Sequence, residues 1–253
     1  MLLSCCTWAV GGPDEAAIDA LADLGFVSLD IRPGMFASPA ARQRLAARDL
    51  RLTCIALSPG MPADGALDAE DADGALAHCR RVLAEAADLG VSHAYLVPGF
   101  DAAPPVMARY AARLRQVAEM AAGHRIRLCI EHFPGRALPT VTGTLDFIAA
   151  VGHKNLYLLF DLGHAALAGE DPAAAIEAAG TRLGYVHFDD NDGQGDLHWA
   201  LLDGVLDRAA IEKTFAALGR IGYDGPTSLE LSDKLPDPLD ALRRSRALLQ
   251  EWL

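Results

Sequence analysis

Basic charge, long apolar runs and patterned cysteine are all scarce in this sequence. Only 22 Lys and Arg stand against 34 Asp and Glu, a formal charge of −12. Phosphate binding needs a basic surface, so a nucleic-acid partner is not expected. No stretch of about eighteen uncharged apolar residues occurs, so no membrane-spanning helix is expected. The five cysteines (Cys5, Cys6, Cys54, Cys79, Cys129) are odd in number, form no CxxC and sit mostly in apolar runs. They read as small buried hydrophobes in a reduced, cytoplasmic compartment. The opening stretch "MLLSCCTWAVGGPDE" lacks a basic leader and soon meets Asp14 and Glu15, so it reads as a first strand rather than a signal peptide.

Two further absences narrow the fold and the substrate. "VGGPDE" does not supply GxGxxG after the first strand, which disfavours a dinucleotide-binding start. No glycine-rich phosphate cradle is present, so a phosphorylated substrate is not favoured. No linker or low-complexity tract interrupts the chain, and one domain spanning 1–253 is expected.

What is present is one repeated phrase: an apolar strand, a turn, an amphipathic helix. Strands are predicted at Leu2–Trp8, Phe26–Ile31, Leu52–Leu57, His93–Val97, Arg127–Glu131, Leu156–Asp161, Leu183–His187 and Thr227–Leu231. Their continuous apolarity suits parallel strands buried on both faces. Helix starts are signalled at Ser38-Pro39, Asp171-Pro172 and Asp237-Pro238, and more weakly at Gly12-Pro13. Gly25, Gly90 and Gly180 mark stops. Ile211, Phe215, Leu218 and Gly222 fall on one helical stripe. Eight such units in 253 residues predict an α/β class protein, a (β/α)8 TIM barrel.

Barrel sites form at the C-terminal strand ends. There the chain places Glu131 in "LCIEHFPG", Asp161 and His164 in "LLFDLGH", His187 in "GYVHFDD" and Glu230 in "TSLELS". Counting back by two gives Cys129, Leu159, Tyr185 and Ser228, the expected next layer inward. Three carboxylates on one axis repel and are costly to bury, and a divalent cation resolves the conflict. Glu131, Asp161, His187 and Glu230 therefore read as ligands of one ion, Mn²⁺ first, with Mg²⁺, Co²⁺ or Zn²⁺ as alternatives. The acidic loop "DDNDGQGDL" is no EF-hand: taking Gly193 as the loop glycine puts Phe188 at position one and Trp199 at position twelve. Asp196 and His198 reach substrate or a second metal, or only order the loop. Trp8 stacks on a sugar face or packs in the core. Trp199 walls the pocket or covers a loop. Arg32 and Arg136 hold a carboxylate or phosphate, or form surface ion pairs. His132 is out of phase with Glu131 and reads as a supporting residue.

The segments "IEHFPG", "FDLGHAALAGEDP", "VHFDDNDGQGDLHWALLDGVLD" and "GYDGPTSLEL", in that order, resemble the xylose isomerase-like TIM-barrel superfamily of sugar isomerases and epimerases. The resemblance implies that Glu131, Asp161, His187 and Glu230 match the family's metal quartet. It implies that Glu131 and Glu230 also perform acid–base chemistry and that His164 contacts substrate oxygen. Which glutamate is the base stays open, with Glu230 the first choice and Glu131 its partner. Asp196 and His198 match extra zinc ligands of the endonuclease IV branch. That branch also has histidines at strand ends three and four, where this chain reads "IALSPG" and "YLVPGF". Ketose 3-epimerases of this type carry a glutamate and an arginine where Ala137 and Gly193 stand here. The implied function is a metal-dependent isomerase or epimerase of a sugar, keto-sugar or keto-inositol, with a polyol-like small molecule as partner and a homodimer or homotetramer as assembly. A lyase or dehydratase on the same scaffold, and a non-catalytic metal- or sugar-binding barrel, stay open beside it.

Overall fold

The computed structural model describes residues 1–62 and 66–253. Eight parallel strands close into a barrel in chain order, with the last paired back to the first. They are β1 (Leu2–Cys6), β2 (Ser28–Ile31), β3 (Arg51–Ala56), β4 (His93–Leu96), β5 (Arg127–Glu131), β6 (Leu156–Asp161), β7 (Leu183–Phe188) and β8 (Pro226–Leu229). Around them run α1 (Asp14–Asp23), α2 (Pro39–Ala47), α3 (Asp73–Asp88), α4 (Pro104–Gly123), α5 (Val141–Val151), α6 (Leu162–Leu167), α7 (Pro172–Ala179), α8 (Arg208–Arg220) and α9 (Pro238–Leu249).

The cap signals act as expected. Ser38, Asp171 and Asp237 each accept a hydrogen bond from a backbone N–H in the first turn of α2, α7 and α9. Gly12-Pro13 differs, since Pro13 itself occupies the cap position and α1 starts at Asp14. Ile211, Phe215 and Leu218 are buried on α8, but Gly222 lies beyond its end with φ +69. One helix per strand is also too simple. Asp161 ends β6 and caps α6 at once, accepting from the His164 N–H at 2.7 Å, so a short helix precedes α7.

Two cores result. One fills the space between strands and helices. The other, inside the barrel, gathers Cys54, Ala56, Tyr95, Cys129, Leu159 and Tyr185, with Trp8 against it. Cys129, Leu159 and Tyr185 thus form the layer beneath the strand-end polar groups, as their phase predicts. Gly184 lets β7 lie close to its neighbours: a Cβ there would stand 2.6 Å from Tyr157 Cβ and 2.7 Å from Cys129 Sγ. All five cysteines are buried and free. No helix is long and apolar enough to cross a membrane among the described residues.

Candidate metal centre and active site

Glu131 and Asp161 are the last residues of β5 and β6, His187 is the penultimate residue of β7, and Glu230 directly follows β8. The Glu230 N–H donates to Phe188 O at 3.2 Å, which carries the β7–β8 ladder one step past β8 and fixes where its side chain enters. One donor atom from each of the four lies within 4.8 Å of the others. His187 Nδ1 is 2.6 Å from Glu230 Oε2, 3.8 Å from Glu131 Oε1 and 3.9 Å from Asp161 Oδ2. All four residues are buried.

These close approaches are not hydrogen bonds. Neither ring nitrogen of His187 has a hydrogen-bond partner, nor has Asp161 Oδ2. Buried polar atoms left in this way cost free energy unless something else meets them. Three oxygens and one imidazole nitrogen aimed at a common point form a hard, mixed donor set. That set fits a divalent cation with open positions for substrate oxygens.

The surroundings hold these groups in place. Asp161 N–H donates to His132 Nε2 at 3.1 Å, and His164 Nδ1 donates to His132 O at 3.0 Å. The out-of-phase His132 is therefore a strut between β5 and α6. His164 Nδ1 also lies 3.7 Å from Glu131 Oε1, while its Nε2 lies 3.3 Å from Asp196 Oδ1. Asp196, His198 and Asp189 form a second group, with His198 Nδ1 2.8 Å from Asp189 Oδ2 and His198 Nε2 3.3 Å from Asp196 Oδ1. His164 links the two groups.

Charge and burial move these groups in opposite directions. Burial raises the Glu131 carboxyl above the usual range, with His187 and His164 opposing. Burial also works to raise Glu230, but the adjacent His187 wins and holds it down at about 2. Burial, then the Asp161 charge, pushes Asp189 up to about 8. Burial would neutralise His164, yet Asp161 and Asp196 carry it up to about 10. Asp196 is held low, against burial, by His164 and His198.

The remaining expected site residues separate. Trp8 sits in a single 3-10 turn after β1, half-buried, and its Nε1 donates to Glu230 Oε1 at 2.9 Å. Trp199 pairs through its backbone with Asp190, N–H to O at 2.7 Å and O to N–H at 3.0 Å, so its clearest role is to shape the loop. Arg32 is exposed and lies in another cleft with His78 and Arg81, outside the quartet. Among the described residues neither Arg32 nor Arg136 forms an ion pair, contrary to the surface-pair expectation.

Two buried carboxylates near the site carry no sequence motif. Asp30 of β2 accepts from Ser4 Oγ at 2.9 Å and Tyr185 O–H at 2.6 Å, and its Oδ2 lies 3.8 Å behind His187 Nε2. A lone acid inside the apolar strand "SLDI" was the available signal. Asp190 accepts from the N–H groups of Asn191, Leu202, Gly204 and Leu206 at 2.8–3.1 Å. This explains the acidic crowd after His187: Asp190 folds the loop, Asp189 anchors Gly163 and His198, and Asp196 meets the histidines.

A family model described as xylose isomerase-like TIM barrel matches residues 18–252. An L-ribulose 3-epimerase of Mesorhizobium japonicum is 31% identical over 192 residues, 70% of this chain and 61% of that protein. An uncharacterised protein of Methanocaldococcus jannaschii is 30% identical over 146 residues, 55% of this chain and 47% of that protein. These matches thus span about half to three-fifths of the relatives' lengths. The solved structure of an L-ribulose 3-epimerase superposes with a TM-score of 0.83 at 23% identity, covering 99% of this chain and 95% of that one.

Proposed function

The chain belongs to the xylose isomerase-like TIM-barrel family, and from that premise we propose that it is a divalent-metal-dependent isomerase or epimerase of a keto-sugar or keto-inositol. The observation that carries the reading is the convergence of Glu131 and Glu230 on Asp161 and His187, with donor atoms within 4.8 Å and partly without hydrogen bonds. The L-ribulose 3-epimerase relative supports the same chemistry.

Glu131, Asp161, His187 and Glu230 would hold the ion, Mn²⁺ in the first instance. When bound it supplies positive charge that acidifies the C–H beside a substrate carbonyl and offsets the charge developing on oxygen. Glu230 removes that proton. Trp8 fixes one of its oxygens, which orients the carboxylate toward the reacting carbon. Glu131 returns a proton to the same carbon from the opposite face, or to the neighbouring carbon, giving epimerisation or isomerisation. His164, braced through Nδ1 on His132 O, presents its Nε2, which has no hydrogen-bond partner, to a substrate oxygen. Asp196 and His198 border the same opening and bind hydroxyls. Arg32 and Trp199 take no direct part.

The test is solvent exchange. Manganese-loaded protein in deuterated water is offered a panel of ketoses and keto-inositols, followed by NMR. Deuterium is expected at the carbon beside the carbonyl with the carbon skeleton conserved. Loss of water or of an aglycone would reassign the protein to the lyases. Metal binding with no exchange across the panel would leave a binding barrel.

A further inference from the structure

A second cleft of about 490 Å³ opens beside the quartet, among the loops after β3, β4 and β5. Its walls include Ser58, Asp68, Phe100, Tyr110, Phe133 and Arg136. Phe133 lies two residues past Glu131, and its ring centroid is 4.2 Å from that of His164. Phe133 therefore borders both the cleft and the His164 side of the proposed reaction site.

Its lining is polar and aromatic together. The Arg136 guanidinium lies over the Phe100 ring at 3.9 Å and near the Phe133 ring at 5.0 Å from the centroids. Stacking uses the faces of the guanidinium. Its in-plane N–H groups have no hydrogen-bond or ion-pair partner among the described residues. The Tyr110 hydroxyl has no partner either, although the residue is only 3% exposed. Phe100 is 73% exposed, unusual for a phenylalanine. The half-buried Asp68 side chain presses against Gly99, where no Cβ would fit. The Gly99 carbonyl accepts from Ala137 N–H at 2.8 Å, tying the β4 and β5 loops together.

An orphaned buried hydroxyl, a carboxylate and an unpaired guanidinium call for a ligand with several hydroxyls. An exposed aromatic ring calls for an apolar face on the same ligand. A pyranose ring offers both: vicinal hydroxyls in its plane and C–H groups on its face. None of the four quartet residues lines this cleft, whose volume falls within the roughly 300–1,000 Å³ of ligand sites, so it offers room beyond the sugar held at the quartet. We propose that the cleft is a subsite for a second sugar ring, so that the substrate is a keto-sugar carrying a glycosidically linked neighbour. The proposal rests on the isomerase or epimerase reading of the quartet and specifies its substrate class.

Fructose serves as the monosaccharide probe, and lactulose, turanose and isomaltulose as ketose disaccharides of three linkages. Solvent deuterium incorporation and saturation-transfer NMR are measured on the manganese-loaded protein. At least one disaccharide is expected to show a KM roughly ten-fold below that of fructose, with saturation reaching the protons of its non-keto ring. Arg136→Ala and Tyr110→Phe should each raise that KM by roughly ten-fold with little change in kcat, and remove the saturation. No saturation of the second ring in any disaccharide, or equal KM for fructose and all three, would overturn the subsite. Saturation without exchange in any probe would instead uphold the subsite and sink the isomerase or epimerase reading.

Discussion

Trp8 and Glu230, 222 positions apart in the chain, are joined by a 2.9 Å hydrogen bond from the indole N–H to one carboxylate oxygen. The bond crosses the β1–β8 seam. It leaves the other oxygen facing His187 at 2.6 Å. Trp8 thus contributes an N–H donor as well as ring area. Trp8→Phe keeps most of the area and removes the donor. Deuterium exchange should slow by roughly ten- to a hundred-fold, the scale of a hydrogen bond to a charged group, with metal content unchanged. A variant that instead loses metal or unfolds would reduce Trp8 to a packing residue.

The four strand-end residues should divide by role. Glu131→Gln and Glu230→Gln should fold, keep much of their metal and lose at least ~10²-fold in exchange rate. Asp161→Ala and His187→Ala should lose metal, as elemental analysis of the purified variants would show. Chelation should lower the Tm of the parent protein by about 5–10 °C, and added Mn²⁺ at ~100 Kd should restore it. The Asp161→Ala variant should respond to neither treatment. A parent protein with unaltered Tm on chelation would speak against a resident ion.

Asp190 should matter for stability through the loop alone. Its carboxylate accepts four backbone N–H groups and is fully buried. Asp190→Ala leaves those donors unmet and should cost about 3 kcal/mol or more in chemical denaturation. Asp190→Asn keeps one acceptor oxygen and should cost less. Equal and small losses in both would mean that the loop is held by its other contacts.

His93 should make the protein acid-sensitive at a distance from the quartet. Burial, then the nearby Arg127, lowers its pKa to about 4. The unfolded chain, near 6.5, binds the proton more tightly. The resulting stability is present above pH 6.5 and is lost as pH falls toward 4, reaching about 2 kcal/mol at pH 5. His93→Gln removes the titration, so its stability should fall less between pH 7 and 5 than that of the parent. Parallel profiles would refute this account.

Much of this was legible because a barrel repeats one local rule. β5 and β6 fall on their predicted bounds, since the apolar run of each is ended by its own carboxylate. β2 and β8 are shorter than predicted, because apolar flanks such as Phe26 and Leu231 pack against the cores without joining the ladder. The quartet could be read from strand phase alone, as every member follows the same two-residue alternation. Asp30 could not. Its meaning depends on Ser4 and Tyr185, residues from strands far apart in the chain, and a single acid in a short strand has no period to reveal it. Nor does spacing foretell that Trp8 would reach Glu230 across the seam.

The seam between β1 and β8 also sets an order of events. A ribosome that has released only the first two hundred residues has already delivered Trp8, Glu131, Asp161 and His187, yet the eighth stave and Glu230 are still missing. Until β8 pairs beside β1, the nascent tube stays open along one side and its three early acid and imidazole arms lack their fourth companion. Assembly of the four side chains at this centre therefore has to follow closure of the tube, and a chain stalled before residue 226 would offer only an incomplete claw.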